Sequence, residues 1–146
     1  TVLCLDVLEH LESIHFMFSE LSRCARTNII IALPNPWSDF FVGILFDRFQ
    51  TSPMKFYGLP IEPPRDRHRW FFGLKDAKDF LKYSAKKYGY NITQIEVENE
   101  NKPMGGKGIK GILGRWLLKQ IFRADIDQLG LTHGTLWCVL EKDIER

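Results

Sequence analysis

Two carboxylates and an imidazole crowd into a single turn of this chain: Asp6, Glu9 and His10, spaced as D-x-x-E-H. Oxygen and nitrogen donors at this spacing suit a divalent cation, or a histidine whose basicity a carboxylate raises. The plainer reading is a pocket wall and a helix start, where Glu9 favours the amino-terminal end of the helix dipole. A second imidazole, His68, lies far downstream among Arg65, Arg67 and Arg69, two residues before Trp70. His68 is a candidate general base for an accepting hydroxyl or amine, and a candidate fourth ligand. The three arginines offer an anionic substrate a guanidinium cluster, or are simply solvated. His15 and His133 have no comparable context and are expected on the surface.

These residues need a scaffold, and the apolar pattern supplies one. Val2–Leu5 is a short β-rich run ending at Asp6, and Asn28–Leu33 (NIIIAL) is a β-branched run of the kind buried on both faces of a parallel sheet. Pro34-Asn35-Pro36 stops the second run, because proline cannot continue a ladder. Between them, residues 8–26 place Leu11, Ile14, Phe18 and Leu21 at helical spacing. Strand, helix and strand with short links make a βαβ unit. Residues 37–49 are apolar at helical spacing and lead into a proline-rich excursion, so 37–72 reads as a lid. Leu74–Tyr88 reads as an amphipathic helix closed by Gly89, and 92–97 as an alternating strand. A loop rich in glycine and lysine precedes a helix over 109–123, and 135–141 is the last strand. The last two strands can pair antiparallel at a sheet edge. The crevice of such an α/β sheet lies at the carboxyl ends of its first two strands, where Asp6 and Pro34-Asn35 stand.

Composition narrows the class. The chain has 146 residues, 45% hydrophobic and 26% charged, which fits one globular domain and not two. A net charge of +2 gives no electrostatic case for a nucleic-acid partner. Cys4, Cys24 and Cys138 lack metal-binding spacing and read as reduced, buried thiols of a cytoplasmic protein. No apolar run is long enough to span a bilayer. The chain opens directly on a strand, so the expectation is that further structure precedes Thr1. An exposed edge at Val2–Leu5 would then favour association into a homo-oligomer.

Three segments together are more specific. Leu5-Asp6-Val7-Leu8-Glu9-His10-Leu11, then Ser19-Glu20-Leu21-Ser22-Arg23, then Ile30-Ile31-Ala32-Leu33-Pro34-Asn35 resemble the fourth- and fifth-strand region of class I S-adenosylmethionine-dependent methyltransferases. Those enzymes carry a D-x-LEH turn, an EL-x-R helix and a strand ending in PN. His68-Arg69-Trp70-Phe71-Phe72 is similar to the H-x-x-F segment that follows their lid. The resemblance implies a partial Rossmann-like sheet, equivalent to strands 4-5-7-6, with helices on both faces and an inserted lid. It implies that residues 1–146 are the carboxyl-terminal half of the domain. It also implies that Asp6, Leu8 and Glu9 contact the cofactor, that Asn35, Trp37, Arg67 and Trp70 contact the acceptor, and that His68 and His10 serve catalysis.

The Asp6-x-x-Glu9-His10 turn with distant His68 is similar to the E-x-x-E-H…H metal pattern of small-RNA 2′-O-methyltransferases. Ubiquinone-pathway O-methyltransferases share its first part. Asp6 replaces the first glutamate and has a shorter reach. The family's glycine-rich cofactor loop is not recognisable: Gly106-x-Gly108-x-x-Gly111 comes late and lacks a following acidic partner. The chain alone is therefore expected to bind the cofactor weakly. The function implied is methyl transfer to a small-molecule, sugar or lipid-linked acceptor. The alternative is a non-catalytic module derived from such an enzyme.

The segment 102–123 stands apart. Lys107, Lys110, Arg115, Lys119 and Arg123 alternate with Ile109, Ile112, Leu113, Trp116, Leu117 and Ile121, and no acid occurs over 101–124. Either this inserted helix packs across the sheet edge with its basic side outward, or it makes peripheral contact with an anionic membrane. The first arrangement is the expectation.

Overall fold

The structure is a computed structural model, and it describes residues 1–46, 48, 62, 67–102, 105–123 and 129–143. Half of the expected lid, including Pro53, Pro60, Pro63, Pro64 and Arg65, lies outside the described residues.

Strand β1 (Val2–Leu5) leads through a 3-10 turn at Leu8–His10 into helix α1 (Ile14–Cys24), followed by β2 (Asn28–Leu33) and α2 (Pro36–Leu45). Helix α3 (Leu74–Tyr88), β3 (Tyr90–Val97), α4 (Ile109–Phe122) and β4 (Leu136–Lys142) complete the order. The strands form one mixed α/β sheet in the order β1-β2-β4-β3. β1 and β2 are parallel, and β4 inserts antiparallel between β2 and β3. The antiparallel pairing of the last two strands is as the sequence suggests, and β1 is an edge of this sheet.

Alternation along the strands builds one dry face. Cys4, Ile31, Cys138 and Ile95 are aligned across the four strands, as are Val2, Ile29, Leu140 and Ile92. Ile92 and Ile95 differ by an odd step, so a regular strand would send them to opposite faces. A register shift between Ile92 and Gln94 absorbs the extra residue and returns both to the core. Phe18 and Leu21 of α1 and Ala77, Leu81 and Ala85 of α3 close over this face. The other face is different: Leu3, Leu5 and Trp137 are exposed on it. Helices on both faces were expected; among the described residues the core cluster takes its helices from one face alone.

Two helices differ from their sequence patterns. The period running through 8–26 is broken, because Leu11 is extended and Ser13 caps α1 by accepting from the Phe16 amide at 3.4 Å. Helix α4 forms as expected but is not packed through its large side chains. Among its described side chains and glycines the buried residue is Gly111, while Ile109, Ile112, Leu113, Trp116, Leu117 and Ile121 face outward with the lysines. The cause is local. A Cβ on Gly111 would collide with the Gly105 and Gly106 backbone, so the helix seats on its own approach loop through glycine.

Of the cysteines, Cys4 and Cys138 are buried as expected, but Cys24 is exposed at the end of α1. His133 is also buried, not at the surface, because its loop is drawn in by Asn35.

Candidate metal centre

The chain leaves β1 at Asp6 with φ 51°, a left-handed conformation that asparagine and aspartate tolerate better than most residues. The Asp6 amide donates to the Ala32 carbonyl at 3.2 Å, which ends the β1–β2 ladder and fixes the bend. The chain then tightens into the 3-10 turn and buries both Leu8 and Glu9, each at 0% exposure. Leu8 joins the hydrophobic core, which encloses the side chain the resemblance assigned to cofactor contact. Glu9 is a carboxylate in the same dry turn. A buried charge is costly unless another group compensates it, so the surroundings of Glu9 decide what the turn is for.

A clasp brings the second histidine to it. The Arg69 amide donates to the Glu9 carbonyl at 2.7 Å. His10 Nδ1 lies 3.3 Å from the Arg67 carbonyl, and Trp70 Nε1 donates to the Leu11 carbonyl at 2.7 Å. Arg69 also pairs with Glu12 at 3.2 Å, an exposed contact of small energetic weight. Residues 67–70 thus run alongside residues 9–12. His68, held between Arg67 and Arg69, is buried and meets His10 edge to face with ring centroids 4.6 Å apart.

One ligand atom from each of Glu9, His10 and His68 lies within 4.8 Å of the others. The tautomer of His10 sharpens this geometry. A carbonyl only accepts, so Nδ1 must carry the proton toward Arg67, which leaves Nε2 with its lone pair in the neutral ring. That nitrogen faces Glu9 Oε1 at 3.5 Å. Two acceptors so placed call for a positive charge between them, either a proton or a cation. An imidazole that donates one nitrogen to a carbonyl while presenting the other is the usual arrangement behind a metal-ligating histidine. The donor set of two imidazoles and one carboxylate fits zinc and the neighbouring divalent ions.

The other sequence candidates are placed elsewhere. Asp6 is exposed and outside the trio, since its left-handed bend directs the chain away before Glu9 turns inward. Asn35 is buried at the end of β2, but its Nδ2 donates to the carbonyls of Gly130 (2.7 Å) and His133 (3.0 Å), anchoring the loop before β4. Trp37 stacks obliquely on Phe71 at 5.2 Å and lies against Gly73. Arg67 is exposed and meets the trio through its carbonyl.

Sequence reasoning missed one feature. An apolar cavity of about 380 Å³ opens between the start of α1 and α3, lined by Ile14, Leu33, Trp70, Phe72, Phe80 and Tyr83 among others. Trp70 belongs to both the clasp and this wall. The only signal for it in the sequence is the spacing of Phe80 and Tyr83 in α3, which by itself marks no cavity. No family model matches the chain, and no curated protein matches it.

Proposed function

We propose that this chain is the acceptor-side, carboxyl-terminal half of a class I methyltransferase domain, and that Glu9, His10 and His68 hold a divalent cation that positions the acceptor. The observation that carries the reading is the convergence of these three residues just beyond the carboxyl end of β1. The sheet order β1-β2-β4-β3, with β4 antiparallel between its neighbours, supports the reading because it is the 4-5-7-6 arrangement that the motif resemblance implies. The exposed apolar face at Leu3, Leu5 and Trp137 supports it too, since a sheet of this type is stable when layered on both sides.

When bound, S-adenosylmethionine supplies an electrophilic methyl group, and the cation would supply Lewis acidity that eases loss of the proton from an accepting hydroxyl. The residues of this chain do the rest. His10 Nε2, Glu9 and one nitrogen of His68 would hold the ion, with His10 fixed in orientation by the Arg67 carbonyl. His10 is half-exposed, whereas Glu9 and His68 are buried, so the acceptor approaches from the His10 side. The aromatic cavity beside Trp70 takes the apolar body of the acceptor and excludes water there. Asp6, exposed at the strand end, is left for the cofactor.

The test is transfer of a radiolabelled methyl group from S-adenosylmethionine by this chain expressed with the coding sequence that precedes it, against pools of small-molecule and lipid-linked alcohols and amines. Transfer that His68→Ala abolishes supports the reading. Absence of transfer with every acceptor class, from a protein that binds S-adenosylmethionine, contradicts it.

A further inference from the structure

Helix α4 turns its large side chains away from the protein. Ile109, Ile112, Leu113, Trp116, Leu117 and Ile121 are 53–85% exposed. At 3.6 residues per turn these six fall within one half of the helix circumference, which Gln120 and Arg123 enter only in the last turn and Lys110 enters near one edge. The opposite side holds buried Gly111 and half-buried Gly114, Arg115 and Leu118, with Arg115 Nη1 donating to the Gly106 carbonyl at 2.7 Å. A contiguous apolar face on a short surface helix marks an interaction site, unlike scattered single hydrophobes.

The charge around that face identifies the partner. The stretch 101–124 contains Lys102, Lys107, Lys110, Arg115, Lys119 and Arg123 and no aspartate or glutamate. Lys119 borders the apolar half beside Ile112, Lys110 lies near its other edge between the directions of Leu117 and Ile121, and Arg123 closes the carboxyl-terminal end. Such long cationic stems can lie along an apolar surface and raise their charged ends to a layer of anions. A groove on a partner protein is usually met by a narrower apolar stripe at i, i+3, i+4 and i+7. A second copy of α4 would set like charges against each other. A plane with acyl chains beneath phosphate groups satisfies both the breadth of the face and its uniform positive border. The helix spans only about 21 Å at 1.5 Å per residue, against about 30 Å of hydrocarbon. Among the described residues no helix is long and apolar enough to cross a membrane, so α4 lies in the interface.

We infer that α4 is an interfacial helix through which this protein docks on bilayers carrying anionic lipid. This inference is independent of the methyl-transfer reading.

The experiment is vesicle co-sedimentation of the chain with phosphatidylcholine alone and with about 30% phosphatidylglycerol added, at low and at high salt. Two double variants accompany it: Leu113→Ser with Trp116→Ser, and Lys110→Glu with Lys119→Glu. All four positions are exposed and outside the hydrophobic core cluster, and circular dichroism of each variant should show the parent's helix content and a cooperative melt. Binding at least about tenfold stronger to the anionic vesicles, weakened by salt and by both variants, supports the inference. Equal pelleting with both vesicles, no pelleting, or undiminished binding by the charge-reversed variant overturns it. Lipid-free self-association that the serine variant abolishes also overturns it, and assigns the face to a second copy.

Discussion

The rings of His10 and His68, far apart in the chain, stand edge to face at 4.6 Å, and a carbonyl at Arg67 fixes which nitrogen of His10 points at Glu9. The site is therefore a product of two backbone segments running side by side, not of one motif. Its stability and its chemistry should respond together when either segment is altered.

Glu9→Gln separates the charge from the shape. In metal-free protein the substitution removes a buried charge while keeping the volume, and the thermal midpoint should hold or rise. At zinc concentrations about a hundredfold above Kd, the parent should gain about 2.7 kcal/mol, or roughly 5–10 °C in midpoint. The variant should gain nothing. Calorimetry with and without zinc checks both statements.

Trp70→Phe tests the clasp. It removes the indole donor to the Leu11 carbonyl and keeps an aromatic wall for the cavity. The expected cost is about 1 kcal/mol, or roughly 2–4 °C in midpoint. Zinc affinity should fall as well, because His68 rides on the same segment. A normal zinc affinity would show that the clasp does not position His68.

The thiols should divide two to one. Burial, and then the charge of Glu9, raise the Cys4 thiol, and burial pushes Cys138 up to about 11. Both remain protonated near pH 8, whereas exposed Cys24 is accessible to iodoacetamide. Mass spectrometry of the native protein should find one modified cysteine, and three only after denaturation. The raised thiols bind their protons more tightly folded than unfolded. The contribution of Cys138 is complete below about pH 9 and is lost as pH climbs toward its folded value near 11, so urea midpoints should fall over that window.

Much of this architecture was legible in the sequence where a run was both apolar and punctuated. Pro34 ends β2, and Gly89 caps α3 at φ 70°, so both elements have the bounds their patterns suggest. Alpha-helical spacing from Leu8 onward was misleading, because a 3-10 turn and the Ser13 cap interrupt a period that hydrophobicity alone carries through. Periodicity in α4 revealed the helix but not its orientation, which depends on the close approach of Gly111 to Gly105 and Gly106.

In the site, Glu9, His10 and His68 were recognisable because the chain has four histidines, one of which directly follows a glutamate. The absence of Asp6 from the trio was not recognisable, because its left-handed bend depends on a tertiary bond to Ala32. Asn35 was similarly opaque: its amide is used by carbonyls contributed by residues 130 and 133.

Calorimetric titration of the chain with S-adenosylmethionine should show no binding in the micromolar range. The one G-x-G-x-x-G of the chain leads into α4, where Gly108 is the helix cap and, among the described residues, no strand directly precedes it. Micromolar binding would place a cofactor site within these residues and remove the need for a separate cofactor-binding half.

The most direct test of the central claim is X-ray absorption at the zinc edge on the chain loaded with one equivalent of zinc. The account predicts two imidazole nitrogens and one carboxylate oxygen at about 2.0–2.2 Å, with the histidine signal halved in His68→Ala and the zinc lost in Glu9→Gln. A shell without imidazole, or one unchanged in both variants, would contradict it.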